Sequence, residues 1–276
     1  MKFSNNLKPP RLNNVLDSNN ILYNKNILPG IELGIPLFLV QNIMTYNHYG
    51  QDISTFQMFL VQSLIGYITY GTDRFLDHID YFDSNTHIDI NENKRDLYEY
   101  IKDNEGFVIS TLMISYFLIT YFLKNNKITE KFIPLLYSNI FYRNIKENFG
   151  IIKPFYISIM WVLATVFIPC IVHDNNLDIL SDPLCYLPAF FNIFGSSNFV
   201  DSKDIIEDKE NGYETIPVKY GMYNSNMLSI LCLFFSNLFY SINHHYGERP
   251  IIDTLFILQN VVLSFQAFKY TIDNSE

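Results

Sequence analysis

The chain is 276 residues long, 49% hydrophobic and 16% aromatic, with only 17% charged residues and a formal net charge of −9. A soluble domain of this size carries about a quarter charged residues, so the composition argues against one, and the acidic balance leaves no basic footprint for nucleic acid. The charges also cluster between long stretches nearly free of them. That is the pattern of a polytopic helical membrane protein, whose backbone polar groups must be satisfied within helices.

Residues 1–27 read as an Asn-rich polar tail carrying Lys2, Lys8, Arg11 and Lys25. No continuous apolar core follows Met1 closely enough for a cleaved signal peptide, so the first span is expected to direct insertion itself. Apolar segments then fall at roughly 28–45, 54–72, 106–123, 131–142, 154–172, 183–200, 224–242 and 251–270. Most approach the roughly 20 residues that a spanning helix needs; the segment at 131–142 is short. Pro29, Pro36, Pro134, Pro154, Pro169 and Pro188 lie in or near these runs, where membrane helices tolerate them. No internal repeat or domain boundary interrupts residues 28–271. The expected fold is therefore all-α, a single transmembrane bundle of about eight spanning helices. Cys170, Cys185 and Cys232 sit in or beside apolar runs without zinc or disulfide spacing, and read as packing residues.

Placing the Lys-bearing tail in the cytoplasm and alternating through the segments sends most Lys and Arg to the cytoplasmic side, as the positive-inside bias requires. Lys124, Lys127, Lys131 and Arg249 run against it. The same alternation puts the loops after the second, fourth and sixth segments on one face of the membrane, and these loops hold the polar clusters.

The first cluster is TDRFLDHIDYFD, in which Asp73 and Asp77 are spaced i, i+4 and share a helical face. Acids at the end of a membrane helix are expensive unless paired or used. Arg74 offers a pairing partner for Asp77 at i+3, and His78 points off the Asp73–Asp77 face. The second cluster opens DSKDIIEDKENGYETIPVKYG with Asp201, Asp204 and Asp208 at i, i+3 and i+7, again one face if helical. Read blandly, each cluster is a solvated acidic helix end. Read chemically, two separated carboxylate groups suit magnesium ions, which bind through one or two carboxylates plus substrate phosphates. Neither cluster supplies the Cys or His ligands that zinc favours. Between the clusters, Arg143, Lys146 and Lys153 bring positive charge to the same face. They are either topology determinants or neutralising groups for a bound diphosphate. Lys153 stands directly before Pro154 at a helix start, where the dipole disfavours a cation, so a ligand is its better explanation.

The stretch DIIEDKENGYETIPVKYG resembles the second aspartate-rich motif of the UbiA superfamily of intramembrane prenyltransferases, with Asp204, Asp208, Gly212, Thr215, Ile216, Pro217, Val218, Lys219 and Gly221 filling the pattern in order. TDRFLD resembles the first motif through Asp73 and Asp77, and KPFYISIMW resembles the span after the family's basic loop. The chain departs from the family in having Thr69 where many members carry Asn, in lacking an Arg-Pro pair after Asp77, and in showing fewer apolar segments. The resemblance implies a prenyltransferase domain over residues 28–271 in which Asp73, Asp77, Asp204 and Asp208 are catalytic. With Asp201, these aspartates would hold Mg2+, while Arg143, Lys146 and Lys153 contact the diphosphate. It also implies eight or nine spanning helices around a central cavity, an isoprenyl diphosphate donor, an aromatic or other lipophilic acceptor, and a membrane setting. Two other readings stay open at this level: a polytopic binding or transport protein, and a non-catalytic family member that binds prenyl lipid. Acids at span ends, not midway along spans, favour the enzyme over the transporter.

Overall fold

The computed structural model describes residues 28–53, 55–83, 92–125, 138–174, 178–243 and 245–274. Among these the chain is helical, with no strand. The polar tail and most of the short segment at 131–142 lie outside the described residues.

Helix α1 spans Leu28–Tyr49 and stops at Gly50, whose φ of 63° no helix can continue. Helix α2, Phe56–Asp83, starts where the Thr55 hydroxyl accepts the Met58 backbone N–H at 3.2 Å, a side-chain cap. α2 does not end near residue 72. It runs on through the first aspartate cluster, so a stretch expected to become loop is still helix at Asp80. The amphipathic α3, Glu92–Asp103, packs beside it: Tyr98 and Ile101 are buried, the Tyr81 and Tyr98 rings lie 5.4 Å apart, and Lys102 Nζ stands 3.9 Å above the Phe82 ring. Then come α4, Glu105–Asn125, and the polar α5, Ser138–Asn148.

A short 3-10 turn, Gly150–Ile152, leads into α6, Lys153–Val162, which continues through a π-helical turn, Leu163–Phe167, into α7, Ile168–Asp174. A π turn frees a backbone carbonyl from the α pattern. Here the Gln62 side chain of α2 donates to Ala164 O at 2.8 Å and to Gln41 Oε1 of α1 at 2.9 Å. Two 3-10 turns, Asp178–Ser181 and Pro183–Cys185, precede α8, Leu187–Lys203, so this span begins a little later than its apolar run. The short α9, Ile205–Glu210, and α10, Ile216–Tyr220, carry the second aspartate stretch; α11, Met222–Ser241, and α12, Pro250–Asp273, complete the chain.

Three of these stretches, Glu105–Phe122, Gly150–His173 and Pro250–Asp273, are long and apolar enough to cross a membrane. Large apolar side chains face outward along α4 and α12, among them Met113, Phe117, Leu255 and Phe265. The apolar core gathers Val40, Ile43 and Met44 of α1, Ile68 of α2, Val166 to Ile168, Ala189 of α8, Tyr240 of α11 and Phe256 of α12. Close helix approach relies on small residues. A Cβ on Gly195 would meet Ser229 O of α11 at 2.8 Å. The α8–α11–α12 group is joined by buried amides and hydroxyls. Asn198 Nδ2 donates to Ser225 O and to Ser229 Oγ, Asn260 Nδ2 donates to Ser236 Oγ, and Asn226 Nδ2 donates to Thr271 Oγ1. The core lies nearer the end of the bundle where α1 and α11 finish. The opposite end, where α2 and α8 finish and α6 begins, is left to polar groups.

Candidate functional site

The continuation of α2 past residue 72 fixes the first cluster. Asp73, Asp77 and Asp80 stand at i, i+4 and i+7 on one helix and face a common polar cleft. Leu76, Lys146, Glu147 and Tyr213 complete its walls, and the cleft is narrow and partly open to solvent. Arg74 takes up its expected partner, with Nη1 3.5 Å from Asp77 Oδ2. His78 turns away from the cleft, buried with Nδ1 3.0 Å from Phe75 O.

Lys146, in the last turn of α5, is the cation of this cleft, and its Nζ lies 5.1 Å over the Tyr213 ring. Burial alone would lower its pKa. The neighbouring Asp77, Asp73 and Tyr142 outweigh that effect and hold the ammonium above its ordinary range. Arg143 lies on the same helix, but its side chain is outside the described part of the structure.

The second cluster is not a single helical face. The helix breaks at Asp204, which stands between α8 and α9 with φ −97° and ψ 12°. The break separates the three carboxylates into different environments. Asp201, on the last turn of α8, is 2% exposed and takes a hydrogen bond from Lys153 Nζ at 2.5 Å. Its second oxygen, Oδ2, is buried with no hydrogen-bond partner among the described residues. Asp208 is also buried, and Oδ2 accepts from the Thr215 hydroxyl at 3.1 Å. Burial raises its carboxyl above the usual range, against the lowering pull of Lys153, Lys146 and Thr215. Asp204 remains partly exposed at the break.

The residues around Asp208 account for much of the second motif. Gly212 sits at φ 74°, the left-handed region that a Cβ disfavours, and lets the chain turn back so that Tyr213 N–H donates to Asp208 O at 2.8 Å. Pro217 opens α10, where its missing N–H costs nothing. Gly150 allows the start of α6 to press on this loop, since a Cβ there would meet Glu214 C at 2.8 Å and Thr215 N at 3.0 Å. Through that contact Lys153, at the first turn of α6 and 7% exposed, is held beside Asp201.

The two clusters therefore meet at one end of the bundle. Lys146 lies in the field of Asp73 and Asp77 and also acts on Asp208. Lys153 pairs with Asp201 and acts on Asp208 as well. Tyr142 stands within electrostatic reach of Asp73, Asp201 and both lysines. Asp201, Asp204 and Asp208 do not line the cleft itself; their loop reaches it through Tyr213. Sequence reasoning did not single out Tyr142, Glu147 or Tyr213. Tyr213 lay inside the second motif, between Gly212 and Thr215, and that position was the available signal. The oxygen donors of Asp73, Asp77, Asp204 and Asp208 suit a hard cation in kind, although no three of these carboxylates bring their oxygens within 4.8 Å of one another.

At the opposite end, Cys185 packs in the apolar core as expected and also makes a polar contact. Its thiol donates to Asp182 Oδ2 at 2.7 Å, with His48 alongside. His245 belongs to that end too, where its Nδ1 lies 3.1 Å from Glu248 Oε1. Compared with known proteins, the chain matches no family model, no curated protein and no solved structure.

Proposed function

We propose that this chain is a magnesium-dependent intramembrane prenyltransferase of the UbiA kind, which moves an isoprenyl group from its diphosphate to an aromatic or other electron-rich lipophilic acceptor. The observation that carries the reading is the convergence of two separate aspartate motifs on Lys146 and Lys153 at one end of a helical bundle. In this reading the protein is an integral, multi-pass membrane protein of about eight or nine spans. The outward apolar faces of α4 and α12 support a lipid surround.

Asp73 and Asp77 on one side, and Asp204 and Asp208 on the other, would hold Mg2+, with the free Oδ2 of Asp201 as a further acceptor. Bound there, magnesium supplies charge neutralisation to the diphosphate oxygens. Lys146, held charged by Asp73 and Asp77, steadies the leaving diphosphate from the cleft side. Lys153 does the same from the second cluster, its ammonium fixed in place by Asp201. Arg143 adds charge from α5. Ionisation breaks the allylic C–O bond, and the electron pair leaves with the diphosphate. The acceptor then forms the new bond to the allylic cation and loses a proton. Apolar and aromatic walls keep water from the cation in the interval.

The test is diphosphate release by the detergent-purified chain from a panel of isoprenyl diphosphates, with phenolic acceptors present, with and without magnesium. The expected result is metal-dependent release that falls about a hundredfold or more in Asp73→Ala and in Asp204→Ala. Binding of prenyl diphosphate without release would favour a non-catalytic lipid-binding protein. A chain that neither binds nor ionises any prenyl diphosphate would overturn the proposal.

A further inference from the structure

Three side chains of different ligand chemistry meet at the end of the bundle remote from the aspartates. His48 lies at the end of α1, Asp182 precedes the 3-10 turn Pro183–Cys185, and Cys185 closes that turn. Their ligand atoms all lie within 4.8 Å of one another. His48 Nδ1 is 3.7 Å from Asp182 Oδ2, and Cys185 Sγ donates to the same oxygen at 2.7 Å. A tetrahedral zinc ion with bonds of about 2.0–2.3 Å separates its ligand atoms by roughly 3.3–3.8 Å. The His–Asp spacing already matches, and the Cys–Asp spacing needs to open by about 1 Å. The thiol proton shared with the carboxylate is the proton a metal would displace.

The surroundings add independent support. Asn243 Nδ2 stands 3.8 Å from Cys185 Sγ as a donor, the kind of outer contact that steadies a thiolate ligand. Asn47 is 2% exposed, and its Nδ2 has no hydrogen-bond partner among the described residues, while its backbone oxygen is 3.3 Å from the same Sγ. The residue whose backbone borders the thiol thus also carries a buried amide donor with no acceptor among the described residues. Access is graded: the His48 and Asp182 side chains are 18% and 28% exposed, and Cys185 is fully buried.

We propose that His48, Asp182 and Cys185 bind one zinc-class divalent cation, with a water in the fourth position, stapling the end of α1 to the turn before α8. The mixture of thiolate, imidazole and carboxylate fits zinc and is foreign to magnesium, which takes an all-oxygen shell. This site is separate from the aspartate end and does not depend on the prenyltransferase reading.

The experiment uses the full chain in detergent, stripped by chelator and titrated with Co2+, with zinc content measured in parallel after dialysis. The expected result is one equivalent of metal and a thiolate-to-cobalt charge-transfer band in the near ultraviolet. The band should vanish in Cys185→Ser, need at least tenfold more cobalt in His48→Gln, and weaken about tenfold in Asn243→Ala. It should persist in Cys232→Ser and in Asp73→Ala. If Cys185→Ser fails to fold by circular dichroism, the His48→Gln titration decides. Absence of the band in the unaltered chain, its survival in a folded Cys185→Ser, or an unchanged titration in His48→Gln would overturn the proposal.

Discussion

At the scale of single residues, the Lys153–Asp201 pair has the most at stake. Both members are buried, so each covers the other's desolvation. Removing one leaves an uncompensated charge, and Lys153→Met or Asp201→Asn alone should destabilise the fold by about 3–5 kcal/mol. The double variant should recover a good part of that loss, because replacing both charges removes the orphan. Denaturant unfolding of the three variants in detergent checks this, and strict additivity would show that the pair is not coupled. Lys153 was legible in the sequence as an unusual cation before Pro154, but its partner was not. Asp201 lies 48 residues away, and no local pattern encodes that distance.

At the scale of elements, the apolar runs located the long helices well because lipid-compatible length is a local property. What they missed is where helices continue or break for tertiary reasons. α2 extends past Asp77 to Asp83, and Tyr98 of α3 packs against Tyr81 on that extension. α8 breaks at Asp204, so the i, i+3, i+7 spacing that suggested one acidic face instead distributes three carboxylates over a bend. The turn that follows α9 depends on glycine at two points. Gly212→Ala should cost about 1–2 kcal/mol through its positive φ alone. Gly150→Ala should push the start of α6 off the Glu214–Thr215 backbone. Its effect should fall more heavily on diphosphate release than on helicity, and comparing the release rate with the circular dichroism of the same samples tests that. Helicity lost in step with activity would count against a local role.

At the scale of the whole molecule, the two ends differ in what they are made of. One holds aspartates and lysines around a solvent-open cleft. The other holds the packed core with a cap of Asn, His, Cys and Asp contacts. If the bundle spans a bilayer, Gln51 at one end and Glu210 at the other, both exposed, face opposite compartments. Cys170, Cys185 and Cys232 are all buried, so the background reactivity of the thiols should be low. Gln51→Cys and Glu210→Cys should therefore react with a membrane-impermeant thiol reagent from opposite sides of sealed vesicles. Labelling of both from the same side would contradict the alternation of spans. The sequence conveyed this polarity through its charge clusters. It could not convey the His48–Asp182–Cys185 meeting, because those residues come together only when α1 packs beside the turn before α8.

The wide turn at Leu163–Phe167 sets the bearing of one end against the other. An α-helix advances about 100° per residue, so the residue absorbed by this turn offsets the wheel of α7 from that of α6 by about that angle. The rod that carries Lys153 at its foot and His173 near its head thus points each in a direction that an unbroken helix of the same length would not reach. Gln62 sits at the pivot, bonded to the carbonyl of Ala164. The angular offset between the charged mouth and the capped base thus arises within the buried middle of the protein, at the turn whose carbonyl this amide holds.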